Sequence, residues 1–360
     1  MTYHINADIR AATTLPGAFY TDPHGFKHIK ETIFARSWQI VVGAEQAVRF
    51  AHEAMPFLYM EGCIDEPLIL LRDADETLRC LSNVCTHRGK IIVEQAGKVE
   101  RGLICGYHGR RFHLDGTFAA MPEMREALHF PCEDDHLRTV PSGTWRQFAF
   151  CSLNPAFAFE ELVADMERKI GFMPIEQFRF DPLRSRDYLV KANWALYCDN
   201  YLEGFHIPFV HKALAATLDW SAYRTELYKL SNVQVGISKG GEHVFALPKE
   251  HEDYGQEIAG YYFWLFPNMM FNFYPWGLSL NIVRPLTHEL TKVSFRTYVW
   301  KPELLGKGAG ADLDLVERED EAVVEQVQTG VKSRFYKHGR FSPSREEGVH
   351  HFHRLASSFL

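Results

Sequence analysis

The sequence predicts an α+β protein in which a small β domain is followed by a larger domain of helices and strands. Three observations support this prediction. Short segments rich in β-branched and aromatic residues, separated by turn residues, run from Ser37 to about Leu153. Helical patterns and longer alternating strands occupy the rest of the chain. A chain of 360 residues is also long enough for two modest domains.

The composition is that of a soluble globular protein, with 46% hydrophobic and 24% charged residues. The net charge of −7 argues against nucleic-acid binding, which needs clustered Lys and Arg. The first residues lack the pattern of a signal peptide, and no apolar run of about 18 residues predicts a membrane span. Seven scattered cysteines, an odd number, favour a reducing compartment. We therefore expect a cytoplasmic protein that neither binds nucleic acid nor crosses a membrane.

The predicted elements can be placed in order along the chain. Residues 1–36 are interpreted as an N-terminal arm with a short helix around His28–Arg36, and residues 37–154 as the β domain. Residues 155–360 are interpreted as the second domain. Its predicted elements are a helix at 157–170, a helical stretch in NWALYCDNYLEGF, a strand in KVSFRTYVW, a long helix at 312–330 and an irregular tail.

Two motifs resemble functional sites only superficially. GKGAG, residues 306–310, follows no clear strand and lacks the full phosphate-loop spacing, so we expect a flexible turn. The tail motif HHFH contains His350, His351 and His353. For this motif we expect a packed C-terminal segment and not a metal site.

Two loops each carry one cysteine and one histidine. CTHRG provides Cys85 and His87, and CGYHG, after seventeen intervening residues, provides Cys105 and His108. Zinc sites usually take cysteines in one pair and histidines in another. In a Rieske 2Fe–2S centre two cysteines hold one iron and two histidines hold the other, which suits two mixed loops. The spacing therefore predicts a Rieske cluster, with structural zinc as the alternative.

A second pair of candidate ligands lies in the stretch DNYLEGFHIPFVHKAL. His206 and His211 are five residues apart, which separates them by about 140° on a regular helix. Pro208 between them disturbs the helix, and a wide turn there could direct both imidazoles inward. Two histidines and one carboxylate form the facial triad that is typical of non-haem Fe(II) sites.

The helix predicted at residues 312–330 supplies the carboxylate. Asp320 lies in the middle of an apolar stripe, and Glu317 lies at its edge as the second candidate. Glu319, Glu321 and Glu325 lie about 100–140° away and are expected to be solvated. The alternative role for Asp320 is a buried salt bridge. The residues of the predicted stripe are Leu313, Val316, Val323, Val324 and Val327.

Together these motifs resemble the Rieske non-haem iron oxygenases, in particular choline- and carnitine-monooxygenase-like members. CTHRGK…CGYHGRRFHLDGTF is similar to their cluster-binding sequence, and NYLEGFHIPFVH to their iron-binding helix. EDEAVVEQVQTG is similar to the segment that carries their carboxylate ligand, and Asp320 is the matching residue. The commoner form of the second loop has Pro and Trp where this chain has Gly106 and Arg110. Neither is a ligand, so this departure bears on the tuning of the cluster and not on its presence.

The resemblance covers nearly the whole chain and implies a Rieske domain followed by a helix-grip-like catalytic domain, an antiparallel sheet with helices. It implies a terminal oxygenase, the catalytic (alpha) subunit, that contains a Rieske 2Fe–2S cluster and a mononuclear Fe(II). The chain has no complete dinucleotide fingerprint and no plant-type ferredoxin spacing. NAD(P)H is therefore expected to act only indirectly, through a separate reductase with or without a ferredoxin. The resemblance also implies a homotrimer or a larger ring.

Glu203 lies three residues before His206, on the same helical face. In ring-hydroxylating members the matching residue is usually Asp, and it bridges the Rieske histidine of one subunit to an iron histidine of the next. The resemblance therefore implies that Glu203 links His108 of the partner subunit to His206 and provides the electron path. The alternative is that Glu203 only orients His206 within one subunit.

The substrate is the least constrained part of the prediction. The aromatic segment 261–276 is expected to form part of the pocket, with Trp264, Phe266, Phe271 and Trp276 as candidates, although most such rings belong to cores. Aromatic faces bind quaternary ammonium groups, and the resemblance favours hydroxylation or N-demethylation of such a compound or of a small amine. The alternatives are ring hydroxylation of an aromatic substrate, a Rieske electron carrier and a zinc-stabilised binding protein.

Overall fold

The fold is described from a computed structural model that covers residues 3–211, 222–240, 243–306 and 313–360, without the side chain of Leu313. Most of the motif GKGAG, residues 307–310, lies outside the described residues. The chain forms two compact units, one of residues Phe34–Ala156 and one that combines Met1–Ile33 with Phe157–Leu360. The N-terminal arm is thus part of the larger unit.

The helices are short in the first half of the chain and longer near its end. They are α1 Gly17–Thr21, α2 Pro23–Ile29, α3 Ala44–Ala47, α4 Phe159–Ile170, α5 Trp194–Tyr201, α6 Ile207–Val210, α7 Leu313–Val331 and α8 Glu347–Ser358. A π-helical turn covers Lys30–Phe34, and 3-10 turns cover Glu133–Asp135, Ile175–Gln177 and Pro302–Leu304. No helix among the described residues is both long and apolar enough to cross a membrane.

The strands of the smaller unit form three antiparallel sheets with the orders β5-β2-β3-β4-β9, β1-β11-β10 and β6-β7-β8. They are β1 Gln39–Ile40, β2 Glu53–Tyr59, β3 Glu66–Arg72, β4 Leu78–Ser82, β5 Gly97–Lys98, β6 Leu103–Ile104, β7 Arg111–Phe112, β8 Phe118–Ala120, β9 Thr139–Val140, β10 Ser142–Trp145 and β11 Phe148–Cys151. The apolar run of β3 supplies Ile69 and Leu71 to a core that also contains Cys85 and Cys105. The two cysteines of the motifs are therefore part of a hydrophobic core.

The larger unit is built on one antiparallel sheet of seven strands in the order β12-β18-β17-β16-β15-β14-β13. Its strands are β12 Arg179–Val190, β13 Arg224–Leu227, β14 Ser231–Ile237, β15 Ile258–Leu265, β16 Met269–Tyr274, β17 Gly277–Thr287 and β18 Leu290–Val299. Every residue of β16 is buried, so both faces of the central sheet are covered. Helix α5 packs against α7, α8 and β17 and leads into the segment that contains His206 and His211. A small β domain and a helix-covered antiparallel sheet are the two folds that the sequence predicts.

Two predictions about the elements are wrong in detail. The tail is not irregular, because Glu347–Ser358 is a helix whose residues Val349, Phe352 and Ala356 are buried. Because histidines occupy part of the buried stripe of this helix, the spacing of its apolar residues alone does not show the helical period. The N-terminal helix begins at Pro23 and not near His28, and it continues into a π-helical turn.

The predicted apolar stripe of α7 is also displaced. The buried residues of the described part of this helix are Glu317, Val324, Gln328 and Val331. Val327, which was expected in the stripe, is 41% exposed, whereas Glu317, which was expected at its edge, is 3% exposed. Asp320 therefore lies beside the buried stripe and not at its centre, because the polar side chains of Glu317 and Gln328 are buried and displace the stripe from the apolar positions that predicted it.

Candidate metal centres

The two Cys-His loops of the smaller unit have the same backbone geometry. In the loop Cys85–Lys90 the cysteine amide donates to the carbonyl of the last residue at 2.9 Å, and the glycine amide donates back to the cysteine carbonyl at 2.9 Å. The loop Cys105–Arg110 repeats these bonds at 2.8 and 3.1 Å. Gly89 and Gly109 have φ values of +73° and +72°, which is why glycine follows the histidine in both loops.

The four predicted ligands lie at these loops. Cys85 and Cys105 are buried, and burial, followed by the neighbouring Cys105 thiol, raises the pKa of Cys85 despite a stabilising backbone amide. The Nδ1 atoms of His87 and His108 are 3.2 Å apart. A pair of neighbouring thiols and a pair of neighbouring imidazoles match the donor set of a 2Fe–2S cluster with two cysteines and two histidines.

Arg110, which stands where the commoner family form has Trp, is buried in the smaller unit. Its guanidinium lies 5.6, 5.0 and 5.5 Å from the ring centres of Phe112, Phe118 and Phe130. It also pairs with the Asp135 carboxylate at 2.6 Å. The arginine therefore keeps the aromatic packing expected of a Trp and adds a buried ion pair.

Asp135 connects the two loops. Its backbone carbonyl accepts the Thr86 hydroxyl from the first loop at 2.9 Å and the Arg110 guanidinium from the second at 3.0 Å. Its carboxylate also accepts the Cys132 amide at 2.8 Å. One residue thus holds both candidate cluster loops, a role that no sequence spacing indicates.

In the larger unit, His206, His211 and Asp320 converge. The two Nε2 atoms are 3.2 Å apart, and the Asp320 carboxylate lies 2.9 Å from Nε2 of His211 and 3.5 Å from Nε2 of His206. The histidines flank the single helical turn α6, which contains Pro208. The proline-containing turn thus removes the angular separation that a regular helix would impose. One ligand atom from each of these three residues lies within 4.8 Å of the other two, which is close enough for a single metal ion to bind all three.

Each histidine of this group is oriented by a carboxylate on its other ring nitrogen. Glu203 lies 2.7 Å from Nδ1 of His206, and Glu319 lies 2.7 Å from Nδ1 of His211. Glu203 also accepts the backbone amide of His206 at 3.0 Å. The expectation that Glu319 is simply solvated is wrong. A helical-wheel estimate gives the direction of a side chain but does not identify a hydrogen-bond partner from another element.

The sequence analysis did not identify Asn200 as a residue of this site. Its amide donates to Asp320 Oδ1 at 2.7 Å, from helix α5 to helix α7. The pKa of His211 is subject to opposing effects: burial lowers it, and hydrogen bonds to Asp320 and Glu319 raise it further than burial lowers it. With Nδ1 donating to Glu319, the neutral ring directs the Nε2 lone pair at the Asp320 carboxylate. A cation between these donors relieves that repulsion, so the residues fit a divalent metal.

The HHFH motif lies elsewhere in the larger unit. His353 places Nε2 2.8 Å from Asp199 Oδ1 and accepts the Leu15 amide on Nδ1 at 3.0 Å. His350 Nε2 lies 2.7 Å from the Asn6 carbonyl. These histidines join the C-terminal helix to α5 and the N-terminal arm.

A cavity of about 120 Å³ opens next to the histidine–aspartate group. The aromatic segment contributes to it, but through Tyr262, Asn272 and Tyr274. Trp264 and Trp276, like Phe266 and Phe271, are buried and do not line this cavity. Phe271 points to the opposite face of β16 from Asn272, whereas Trp264 lies on the same face of β15 as Tyr262 but two residues further along the strand. The cavity is also lined by Tyr201, Tyr223, Gln234, Ser279, Asn281, Glu203 and Glu317.

A Rieske-type pair of loops and a two-histidine, one-carboxylate group in one chain define the class of Rieske non-haem iron oxygenases. Residues 40–141 match the Rieske [2Fe-2S] domain, and residues 175–360 match the ring hydroxylating alpha subunit (catalytic domain). The second match alone spans half of the chain. The chain therefore belongs to the family of ring hydroxylating alpha subunits.

The chain is also similar to individual proteins. The chain is 29% identical to choline monooxygenase, chloroplastic, of Beta vulgaris, over 95% of this chain and 76% of the relative. It is 29% identical to the carnitine monooxygenase oxygenase subunit of Escherichia coli (strain K12), over 97% and 94% of the two chains. A solved quaternary ammonium Rieske monooxygenase is 25% identical and covers 100% of both chains with a TM-score of 0.78.

The family and the two donor sets agree on what the chain is. It is an oxidoreductase of the Rieske oxygenase type, with a 2Fe–2S cluster and a mononuclear iron as cofactors and a reductase as the source of electrons. The predictions of enzyme class, fold and cofactors are confirmed.

Proposed function

We propose that this chain is the terminal oxygenase that hydroxylates or N-demethylates a small quaternary ammonium compound or amine. The observation that carries the proposal is the convergence of His206, His211 and Asp320 at the wall of a tyrosine-lined cavity. The relatives named above are a choline and a carnitine monooxygenase, which agrees with this substrate class.

In this proposal His206, His211 and Asp320 hold the Fe(II), and Cys85, His87, Cys105 and His108 hold the cluster. The iron, when bound, supplies the activation of dioxygen, and the cluster supplies the electrons for it. The residues around the iron site have separate tasks. Glu203 and Glu319 keep Nδ1 of the two histidines occupied, so that each Nε2 stays available to the metal, and Asn200 fixes one oxygen of Asp320.

The cavity favours a cation over an aromatic hydrocarbon. Five tyrosines line it: Tyr197, Tyr201, Tyr223, Tyr262 and Tyr274. The rings of Tyr223 and Tyr262 are stacked, with centres 6.5 Å apart. Aromatic faces attract trimethylammonium groups, whereas the amide and hydroxyl groups that share the wall would have to be desolvated by an apolar ring. Ring hydroxylation therefore remains the weaker candidate.

Glu203 is proposed to connect subunits. Its carboxylate accepts from His206 of the same chain and is 13% exposed. Inter-subunit electron transfer has been described for the quaternary ammonium Rieske monooxygenase to which this chain is similar. By the same arrangement, Glu203 would also contact His108 of the partner subunit in a head-to-tail homotrimer. The electrons would come from a separate NAD(P)H-dependent reductase, with or without a ferredoxin.

The proposal is tested with protein that has been loaded with iron and sulfide and supplied with a reductase and NADH. Choline, carnitine, γ-butyrobetaine and trimethylamine are compared with naphthalene and benzoate. We expect a trimethylammonium compound to stimulate NADH and oxygen consumption, with an aldehyde or formaldehyde as product. Formation of a cis-diol or phenol from the aromatic compounds, with no response to the amines, would overturn it. EPR of the reduced protein, with iron and sulfide counted, verifies that both centres are loaded.

A further inference from the structure

Glu317 is a buried acid in the wall of the cavity for which the chemistry described so far has no use. It is 3% exposed and lies three residues before Asp320 on α7. Oε2 accepts the Tyr197 hydroxyl at 2.6 Å. Oε1 is buried and has no hydrogen-bond partner in the part of the chain that the structure describes.

A buried carboxyl oxygen without a hydrogen-bond partner destabilises a ligand-free site. Burial, and then the proximity of Asp320 and Glu321, raises the pKa of Glu317 well above its ordinary value, although the bond from Tyr197 opposes the shift. A buried carboxyl group without full hydrogen bonding destabilises a fold unless something else occupies the free position. The presence of such a group at the wall of a cavity indicates that a ligand supplies the missing hydrogen bond or ion pair.

The other carboxylates of this cavity are already engaged. Glu203 binds the ring of His206 and a backbone amide, and Asp320 binds Asn200 and approaches both histidines. Among the carboxyl groups of the described lining residues, Glu317 is therefore the one that has a buried oxygen without a hydrogen-bond partner. Those lining residues include no Lys or Arg that could be its partner.

We propose that Glu317 is the counter-ion for the positively charged nitrogen of the substrate and the residue that makes the site select cations. This inference rests on the proposed function, because it concerns the substrate of the same site. Three residues of α-helix correspond to a rise of about 4.5 Å, so a nitrogen held at Glu317 keeps its attached carbons near the metal ligands. The tyrosine faces surround the remaining methyl groups, and Tyr197 fixes the second oxygen of the acid.

The test compares choline with 3,3-dimethylbutan-1-ol, its uncharged isostere in which carbon replaces nitrogen, on the loaded enzyme with its reductase. Calorimetry gives the Kd of both compounds, and NADH consumption gives KM and kcat. Glu317→Gln keeps the shape and the acceptor for Tyr197 but removes the charge. We expect it to weaken choline binding roughly 10- to 100-fold and to leave binding of the isostere within about threefold. kcat at saturating choline should change little.

The matched control is Glu321→Gln. Glu321 lies on the same helix, also has a carboxylate oxygen without a partner among the described residues, and also has a raised pKa, but it does not line the cavity. This variant should bind both compounds as the wild type does. The melting temperature of ligand-free Glu317→Gln should be unchanged or higher, since the substitution removes an unfavourable buried acid.

Two results would overturn the inference. One is a Glu317→Gln variant that loses choline and its isostere equally, which would mean a structural role. The other is a wild-type protein that binds the isostere as tightly as choline, a comparison that needs no variant and stands even if Glu317→Gln does not fold. Failure of the proposed function looks different: choline then binds in a Glu317-dependent way but stimulates neither reductant use nor aldehyde formation.

Discussion

At the scale of single residues, the site depends on which atom of each histidine is left free. His206 and His211 each have Nδ1 beside a carboxylate, so Nε2 of each ring is directed at the common centre with Asp320. The carboxylates come from different parts of the chain: Glu203 precedes α6, whereas Glu319 lies on α7. The affinity for a metal ion bound here would therefore depend on these partners as well as on its ligands.

Replacing Glu319 tests this view directly. Glu319→Ala should leave the fold intact, because the side chain is 35% exposed, but it should free the His211 ring to rotate or change tautomer. We expect the Fe(II) affinity to fall roughly 10- to 100-fold. Competition with a coloured chelator measures that affinity independently of turnover.

The control for Glu319 is Glu325→Gln on the same helix. Glu325 accepts the Lys191 amide at 2.9 Å and contacts no histidine of the centre in the described structure. The iron affinity of the Glu325→Gln variant should match that of the wild type. Equal affinities for all three proteins would mean that Glu319 has no part in holding His211.

At the scale of elements, the two Cys-His loops depend on a segment that contains no ligand. Asp135 lies in the 3-10 turn Glu133–Asp135, and it accepts hydrogen bonds from Thr86 of one loop and Arg110 of the other. Arg110 has 2% of its side chain exposed. Removing one partner of a buried ion pair is strongly destabilising because the other charge is left uncompensated.

Arg110→Met should therefore destabilise the smaller unit by roughly 3 kcal/mol, at the low end for a buried pair because Asp135 keeps the Cys132 amide. The visible absorption of the cluster should disappear at a lower urea concentration than in the wild type. Arg79→Met is the comparison, since Arg79 pairs with Asp73 at 2.6 Å but has 35% of its side chain exposed. A similar shift in both variants would argue against a special role of Asp135 in joining the loops.

The C-terminal helix α8 introduces a pH dependence. Burial, and then the charges of Arg354 and His350, lowers the pKa of His351 to about 4. Between about pH 6.5 and pH 4 the unfolded chain therefore binds a proton that the folded chain does not. The free energy of unfolding falls as the pH drops through this window, by roughly 2 kcal/mol between pH 7.5 and pH 5 from this group alone.

Urea unfolding of wild-type protein and His351→Gln at these two pH values checks the prediction. The variant should lose less stability on acidification than the wild type, by the amount contributed by His351. Replacement of the exposed His4 by Gln serves as the control and should leave the acid sensitivity unaltered. If His351→Gln is as acid-sensitive as the wild type, His351 is protonated in the fold at pH 5.

At the scale of the whole molecule, the proposed assembly makes electron transfer a property of the oligomer. Cys105→Ser removes a cluster ligand, and Asp320→Asn removes an iron ligand, so each variant alone should be inactive. When the two are co-expressed with different tags and mixed oligomers are isolated, activity should return. A cyclic trimer that contains both chains has one interface in the productive direction, which limits recovery to about one third of the wild-type rate.

Glu203 can then be tested on one side of the interface at a time. Glu203→Gln placed in the Cys105→Ser chain, which keeps the iron, should reduce the recovered activity at least about tenfold. The same substitution in the Asp320→Asn chain should have no effect, because that chain supplies only the cluster. Mixed oligomers without activity would show that electrons stay within one subunit, and equal effects on both sides would argue against the bridge.

Much of the organisation could be predicted because it depends on short-range spacing. The cysteine and histidine positions of the two loops, and the glycines that permit their turns, are all visible within a few residues of one another. Long strands such as β18 are visible from alternation, since neighbouring side chains face opposite sides of the sheet. Asp320 was identified from the helical period of α7, although the buried stripe of this helix lies to one side of Asp320.

Residue types and their spacing were enough to predict the two-part α+β architecture, the two Cys-His pairs, and the histidines and aspartate that converge. The groups that surround them became visible in the folded chain: Glu319 on His211, Asn200 on Asp320, Asp135 between the loops and Glu317 at the cavity. The physical reason is that ligand types and periods are local properties of the chain. Hydrogen-bond partners and burial depend on elements that are distant in the chain, from 25 residues apart for Arg110 and Asp135 to 120 for Tyr197 and Glu317.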